Sequence, residues 1–157
     1  MIHLKTKFRL DKGLQYLSLF FLAFTIICLT GCNYSFSNKD ILLSDPTIFE
    51  EDGKYYLYGT SSGGLHKTNK GFRVFKSDDL NNWKPHGYAL RYGDAYGEKG
   101  FWAPHVLKNN DTYIMVYTAD ENIAIAFSKS PTGPFKNEIK TYFKTDEKQI
   151  DPFLFFE

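Results

Sequence analysis

The chain has little cysteine, no excess of either charge and, after residue 31, no long apolar run. Its two cysteines, Cys28 and Cys32, both lie near the N-terminus, so the remainder can form neither a disulfide nor a thiolate metal site. The 19 basic and 18 acidic side chains nearly cancel, which argues against nucleic acid as a partner. After residue 31 no segment has the 3.6-residue apolar periodicity of a helix. We therefore predict an all-β domain that is held together by packing.

The first 31 residues have the pattern of an export signal. A basic stretch, Lys5 to Lys12, precedes an apolar run over residues 16–29 that is too short to span a membrane comfortably. The run ends in Leu29-Thr-Gly-Cys32, which resembles the bacterial lipoprotein signal. We expect a signal peptide over residues 1–31, lipidation of Cys32 and a polar tether over residues 32–40. The protein would then be an exported, membrane-anchored lipoprotein; an ordinary secretory signal or an N-terminal membrane anchor is the alternative.

The rest of the chain contains a module that starts three times. Asp45-Pro-Thr-Ile-Phe opens the first copy, Ala103-Pro-His-Val-Leu the second and Asp151-Pro-Phe-Leu-Phe the third. The starts lie 58 and 48 residues apart, which is the spacing of propeller blades and other repeat folds. Hairpin turns are predicted at residues 51–53 and 109–111, where Asp, Asn and Gly tolerate positive φ angles.

Each copy is predicted to hold four short strands, the composition of a propeller blade. The outer strand pairs are expected at residues 72–77 and 79–83, and at 123–128 and 130–135. Trp83 and Phe135 occupy nearly equivalent places on these outer strands, so we expect both to be core residues between blade faces.

Six short motifs occur in one order along residues 41–157. They are Asp45-Pro46, Gly53-Lys-Tyr-Tyr-Leu-Tyr58, Ser77-Asp-Asp-Leu-Asn-Asn-Trp83, Phe101-Trp-Ala-Pro104, Ser130-Pro-Thr-Gly-Pro-Phe135 and Ile150-Asp-Pro152. Each is weak alone, but together, at blade spacing, they resemble the N-terminal part of glycoside hydrolase family 43. The resemblance implies a five-bladed β-propeller that hydrolyses glycosidic bonds in arabinose- and xylose-containing plant polysaccharides with inversion.

Two carboxylates stand at equivalent repeat starts. An inverting glycosidase needs one carboxylate to deprotonate water and one carboxylic acid to protonate the leaving oxygen, about 6.5 to 9.5 Å apart. By the resemblance, Asp45 matches the general base, and Asp151 matches the carboxylate that orients the acid and raises its pKa. We expect the two to face each other across the propeller axis. The alternative is that both are turn residues before proline that hydrogen-bond the backbone.

The resemblance places the general acid, a glutamate, at the start of a fourth blade, whereas the sequence stops six residues after Asp151. We therefore expect a propeller truncated to about two blades plus the first strand of a third, inactive by itself. A non-catalytic carbohydrate-binding lipoprotein or an inactive remnant is the alternative to a glycosidase.

Two further residues are candidate substrate contacts. Trp102 precedes the second start, where its indole would stack on a sugar ring or pack between blades. His105 aligns with Thr47 and would line the central channel or serve a structural role. His66 and His86 lack metal-ligand spacing, so we predict no metal and no cofactor. The sequence leaves open the pentose, the linkage, endo or exo action and the oligomeric state.

Overall fold

The computed structural model of the chain describes residues 35–61, 70–140 and 142–157. These residues form two antiparallel sheets and one turn of 3-10 helix at Asn38–Asp40. In chain order the strands are β1 (Phe36–Ser37), β2 (Leu43–Glu51), β3 (Lys54–Ser61), β4 (Gly71–Ser77), β5 (Asn82–Arg91), β6 (Trp102–Asn109), β7 (Thr112–Ala119), β8 (Asn122–Ser128) and β9 (Tyr142–Phe143). Within these ranges no helix is long and apolar enough to cross a membrane.

The two sheets are consecutive propeller blades. The first has the strand order β1-β5-β4-β3-β2 and the second the order β6-β7-β8-β9. In each, four strands follow one another as neighbours. The inner strands, β2 and β6, contain the predicted repeat starts Asp45 and Ala103 near their N-terminal ends. The predicted all-β propeller architecture is confirmed for two blades. The first strand of a third blade, predicted after Asp151, is not formed, because residues 151–157 pair with no strand in the described part of the chain.

The hairpin turns lie where the sequence predicts them. Asp52 and Gly53 connect β2 to β3 with φ angles of 50° and 68°, and Asn110 connects β6 to β7 with a φ of 50°. These are left-handed conformations that Gly, Asn and Asp adopt at low cost, so the local sequence determines the turn.

The predicted outer strand at residues 79–83 is wrong in its first half, because these residues form a turn before β5 begins at Asn82. The Asp79 carboxylate accepts hydrogen bonds from the backbone amides of Asn81 and Asn82 at 2.9 and 2.8 Å. The hydrogen bonds from Asn82 and then Asn81 hold the pKa of Asp79 far below its usual range. A short polar side chain that captures backbone donors competes here with strand pairing.

The predicted outer strand at residues 130–135 is also wrong, because β9 at Tyr142–Phe143 takes that place in the second blade. Pro131 and Pro134 have no N–H group to donate to a ladder. The segment instead reaches the first blade, where the Phe135 amide donates to the Ala89 carbonyl at 2.7 Å.

Trp83 and Phe135 are both buried, as expected, but they belong to different clusters. Phe135 is part of the large core that blade one and blade two share. Trp83 packs on the other side of blade one with Leu57 and Phe75. Of these two side chains, Phe135 is therefore the one that packs between the blades.

The tether predicted over residues 32–40 is wrong for its second half. Phe36 and Ser37 pair with β5 as an additional outer strand, and the Phe36 ring meets the Phe75 ring edge to face at 6.1 Å. The Asn38 Oδ1 atom accepts a hydrogen bond from the Trp83 indole at 2.6 Å. Residues 36–40 thus belong to blade one, because Phe36 and Asn38 satisfy groups on its outer face. Cys32 and the predicted signal peptide lie outside the described residues.

The hairpin ends of the two blades are joined through Glu51. Its Oε1 atom lies 2.5 Å from the Lys108 ammonium and its Oε2 atom accepts the Tyr113 hydroxyl at 2.5 Å. The hydrogen bond from Lys108, followed by that from Tyr113, lowers the pKa of Glu51. This clamp connects β2 of blade one with β6 and β7 of blade two.

We predict that Glu51→Gln lowers the free energy of unfolding by about 1 kcal/mol at pH 7, because it removes a charge-assisted contact between blades. Since the pKa of Glu51 is lowered on folding, the stabilisation is present above its ordinary value of 4.5 and is lost as the pH falls through the folded value. Urea unfolding at several pH values measures this.

The matched control is Asp78→Asn, which removes the exposed Lys54–Asp78 pair within one blade. Its effect on urea unfolding should be smaller than that of Glu51→Gln. An equal loss for both variants, or a Glu51→Gln deficit that persists unchanged at acidic pH, would contradict the clamp.

Candidate active site

The three repeat starts share one unusual backbone conformation. Asp45, Ala103 and Asp151 have φ angles of 47°, 44° and 57°, and each precedes a proline. Left-handed φ is uncommon outside glycine, and a residue before proline normally prefers an extended backbone. Such a conformation costs on the order of 1–3 kcal/mol and persists only where the surrounding structure fixes it. The sequence repeat is therefore also a repeat of strained geometry.

Irregular pairing accompanies the first two starts. The β2–β3 register shifts between Ser44 and Thr47, and the β6–β7 register shifts between Trp102 and His105. Bulges of this kind bend a strand and redirect its side chains, and they occur often beside active sites. The side chains of both starts are thus displaced from the regular alternation of the sheet.

A threonine hydroxyl holds each later start. The Ala103 amide donates to Thr60 Oγ1 at 2.9 Å, and the Asp151 amide donates to Thr118 Oγ1 at 3.1 Å. Both threonines lie on the second strand of a blade, so each fixes the first residue of the next blade. Neither threonine is among the site residues predicted from the sequence. The signal that would have found them is their equal distance, seven residues, after Gly53 and Asp111 in the aligned hairpins.

Asp45 receives an additional contact. Thr60 Oγ1 donates to the Asp45 carboxylate at Oδ2, with a distance of 2.9 Å. Thr60 thus joins Asp45 of blade one to Ala103 of blade two. Because Thr118 pairs with Trp102 and holds Asp151, the three starts follow one another along the same end of the inner strands.

Comparison with Ala103 shows whether the two aspartates are needed for the shape of the backbone. Ala103 takes the same left-handed conformation with no carboxylate, so the conformation does not require one. Within the described residues, neither Asp45 nor Asp151 accepts a backbone amide at its side chain, and both are exposed. The interpretation as backbone-capping turn residues therefore finds no contact to support it. Their placement across the axis remains a prediction.

Trp102 lies beside a cleft at the same end of blade two. The residue keeps 39% of its surface exposed. A Cβ atom at Gly100 would lie 3.2 Å from the indole, so glycine lets the loop approach the ring closely. The cleft has a volume of 640 Å³ and is lined by Glu98, Lys99, Gly100, Trp102, Asp120 and Glu121.

Asp120 fixes the loop on one side of this cleft. Its carboxylate accepts the amides of Glu98 and Lys99 at 3.1 and 3.2 Å, and its own amide donates to the Lys99 carbonyl at 2.9 Å. The cleft is thus a preformed polar surface with one exposed indole. This combination suits a sugar, because the indole can pack on the apolar face of the ring and the polar groups can bond to its hydroxyl groups.

His105 is engaged by the segment after Asp151. Its Nδ1 atom accepts the Leu154 amide at 3.3 Å, and its ring centroid lies 4.4 Å from that of Phe153. Burial lowers the pKa of His105 below its ordinary 6.5. The structure thus gives His105 a packing role, and its contact with substrate stays a prediction. Within the described ranges no three His, Cys, Asp or Glu side chains are grouped to hold a metal ion.

Comparison with known proteins relates residues 40–157 to a family. This stretch, most of the chain, matches the model of glycosyl hydrolases family 43. The extracellular endo-alpha-(1->5)-L-arabinanase 1 of Bacillus subtilis (strain 168) is 31% identical over 134 residues, which cover 74% of this chain and 40% of the arabinanase.

Solved structures give the same relationship. An endo-1,4-beta-xylanase from Bacteroides thetaiotaomicron VPI-5482 is 42% identical with a TM-score of 0.66, over 73% of this chain and 39% of the xylanase. An endo-arabinase from the same organism is 30% identical with a TM-score of 0.57, over 67% of this chain and 37% of that protein. The chain spans about two fifths of the length of these relatives.

We predict that the His105 contact is lost at acidic pH. Since the folded pKa lies below 6.5, the unfolded chain takes up the proton first as the pH falls, and stability decreases below that value. Protonation of Nδ1 removes the acceptor of the Leu154 amide, whose hydrogen exchange should accelerate about tenfold or more relative to the intrinsic rate. NMR titration of the imidazole and amide exchange measure both events.

His105→Asn is the control, because a side-chain amide oxygen offers an acceptor that does not titrate. In this variant the relative exchange rate of the Leu154 amide should not depend on pH between 7 and 5. A titration of His105 above 6.5 in the native protein would contradict the burial that the structure shows.

Proposed function

Because the chain belongs to glycosyl hydrolase family 43, we propose that the protein carrying it hydrolyses bonds between arabinose or xylose units of plant polysaccharides with inversion of configuration. The observation that carries the proposal is the presence of aspartate at two of three equivalent left-handed starts. Ala103 shows that this backbone needs no carboxylate. Asp45 and Asp151 are therefore best explained by chemistry at the exposed end of the inner strands.

In this proposal Asp45 is the general base. Its carboxylate takes a proton from a water molecule as the water oxygen attacks the anomeric carbon. The bond from that carbon to the leaving sugar breaks, and the leaving oxygen receives a proton from a carboxylic acid. The family resemblance assigns that acid to a glutamate of a later blade.

Asp151 would act on that acid. A carboxylate near a second carboxyl group disfavours its ionisation, which raises the pKa of the acid and keeps it protonated near neutral pH. The Thr118 hydroxyl fixes the Asp151 backbone at 3.1 Å, so the side chain begins from a defined position.

Trp102 would bind the polysaccharide in its cleft. The exposed indole offers an apolar face for a sugar ring, and the surrounding carboxylates accept hydrogen bonds from sugar hydroxyls. The imidazole of His105, with Nδ1 occupied as an acceptor, would keep its Nε2 hydrogen for a sugar oxygen.

Arabinan and xylan are both reasonable substrates. The curated relatives are named endo-1,5-arabinanases or arabinosidases, which favours cutting within an α-1,5-linked arabinan. The xylanase structure is the more identical one, at 42% against 31% for the Bacillus subtilis arabinanase. Activity assays must therefore include both polymers.

We also propose that the protein is exported and anchored to a membrane by a lipid on Cys32. The support is the basic stretch, the short apolar run and the Leu29-Thr-Gly-Cys32 ending. Metabolic labelling with a fatty-acid analogue tests this: the native protein should be labelled and sediment with membranes, and Cys32→Ala should not be labelled. Labelling that persists in Cys32→Ala would exclude this site.

We predict that Asp45→Asn in the full gene product lowers turnover of linear arabinan or xylan by about 10²- to 10⁴-fold, the contribution of a general base. The amide has a similar shape but cannot take the proton, so polysaccharide binding should persist. Reducing-sugar release measures turnover, and affinity gel electrophoresis measures binding.

Asp52→Asn is the matched control, since it makes the same chemical change at another exposed residue with a left-handed φ of 50°. It should retain native turnover. Native turnover in Asp45→Asn would show that Asp45 is not the base. A native protein that binds either polymer but cleaves neither would favour the carbohydrate-binding alternative.

A further inference from the structure

Thr60 is placed to act on the proposed base. Its hydroxyl lies 2.9 Å from Asp45 Oδ2 and 2.9 Å from the Ala103 amide nitrogen. We propose that Thr60 is a positioning residue that determines which oxygen of Asp45 takes the proton from water. This inference rests on the proposed role of Asp45 and adds the residue that orients it.

The direction of the hydroxyl proton follows from its partners. A hydroxyl has one hydrogen to donate and two lone pairs to accept with. The Ala103 N–H group can only donate, so it occupies a lone pair of Thr60 Oγ1. The single hydrogen of Thr60 is then available for Asp45, whose ionised carboxylate can only accept.

The two carboxylate oxygens of Asp45 are thereby made different. Oδ2 receives the threonine hydrogen, while within the described residues Oδ1 receives none. The threonine hydrogen already draws on one lone pair of Oδ2 and makes that oxygen less basic, so we assign Oδ1 as the atom that takes the proton from water. Its direction is set by the Thr60 contact, which limits rotation of the carboxylate about its bond to Cβ.

Thr60 also connects the base to the neighbouring blade. Asp45 and Ala103 both have left-handed φ angles, which persist only where surrounding contacts fix the backbone. A single hydroxyl bridges them. The base is therefore aligned relative to blade two, and the sugar site proposed at Trp102 begins one residue before Ala103.

Thr118 shows which part of this arrangement is architectural. It accepts the Asp151 amide as Thr60 accepts the Ala103 amide, but the start of its own blade is Ala103, which has no carboxylate. A threonine at both positions is thus explained by its contact with the first residue of the next blade. Of these two threonines, Thr60 is the one that also donates to a carboxylate.

Thr60→Val tests the inference in the full gene product, because valine keeps the branched shape and removes the hydroxyl. We expect kcat on linear arabinan or xylan to fall about 10- to 100-fold, the effect of losing a hydrogen bond to a charged group. KM should change by no more than about twofold, since the sugar contacts remain. Thr60→Ser, which retains the hydroxyl, should recover most of the native kcat.

The stability control is Lys108→Met, which removes the blade contact to Glu51 at the hairpin end. It should lower the unfolding midpoint while leaving kcat native, so that loss of stability and loss of alignment are separated. If Thr60→Val does not fold, Thr60→Ala removes the same hydroxyl without adding volume and gives the same comparison.

Two outcomes would overturn the inference alone: native kcat in a folded Thr60 variant without the hydroxyl, or an equal fall in kcat for Thr60→Ser and Thr60→Val. A further contradiction would be a full Thr60→Val effect on the residual turnover of Asp45→Asn, since a residue that acts through Asp45 has no effect once the base is gone. A native protein that cleaves neither polymer would overturn the proposed function, and this inference with it.

Discussion

The hydrogen bond from a blade-opening amide to a threonine hydroxyl of the preceding blade is the contact on which the site depends. It occurs at Thr60 with Ala103 and at Thr118 with Asp151. Each bond holds a residue whose left-handed backbone would otherwise relax toward an extended form before proline. Successive inner strands therefore begin at fixed positions along one end of the blades, and any side chain at a start is presented there.

The two ends of the blades use different chemistry. At the hairpin end, Glu51 joins the blades through Lys108 and Tyr113, an arrangement of charge and hydroxyl that serves stability. At the opening end, the hydroxyl contacts leave the carboxylates of Asp45 and Asp151 exposed. Between them the shared aromatic core makes the two blades one packed unit, with Phe72 lying 5.4 Å from Phe101 and 5.5 Å from Tyr117 between ring centroids. The rigid core between the blades holds the left-handed residues at the opening end in their strained conformations.

Local sequence predicts the parts of the fold that short-range chemistry determines. The Asp52-Gly53 turn and the repeat starts follow from residue type and spacing. The outer strands do not, because residues 79–83 and 130–135 contain groups that find partners elsewhere: Asp79 captures nearby amides, and Phe135 bonds to Ala89 in another blade. Phe36 falls in the predicted tether because its packing partner, Phe75, lies far away in sequence.

The sequence predicts the carboxylates of the candidate site but not the residues that hold them in place. Asp45 and Asp151 stand out because they open repeat copies, and the family resemblance supplies their roles. Thr60 is an ordinary strand residue by sequence, and its importance becomes visible only when pairing brings it beside Asp45 and Ala103. Contacts between residues of different blades can be recognised only in the three-dimensional structure, whereas the repeated starts can be recognised in the sequence.

The most direct test of an inverting site built on these repeat starts is the anomeric configuration of the first product. Proton NMR of the full gene product acting on linear arabinan or xylan, recorded before the sugar mutarotates, reports it. We predict that the new reducing end first appears with the configuration opposite to that of the bond cleaved. A first product of retained configuration would require a carboxylate that attacks the sugar, and would contradict Asp45 as a base that activates water.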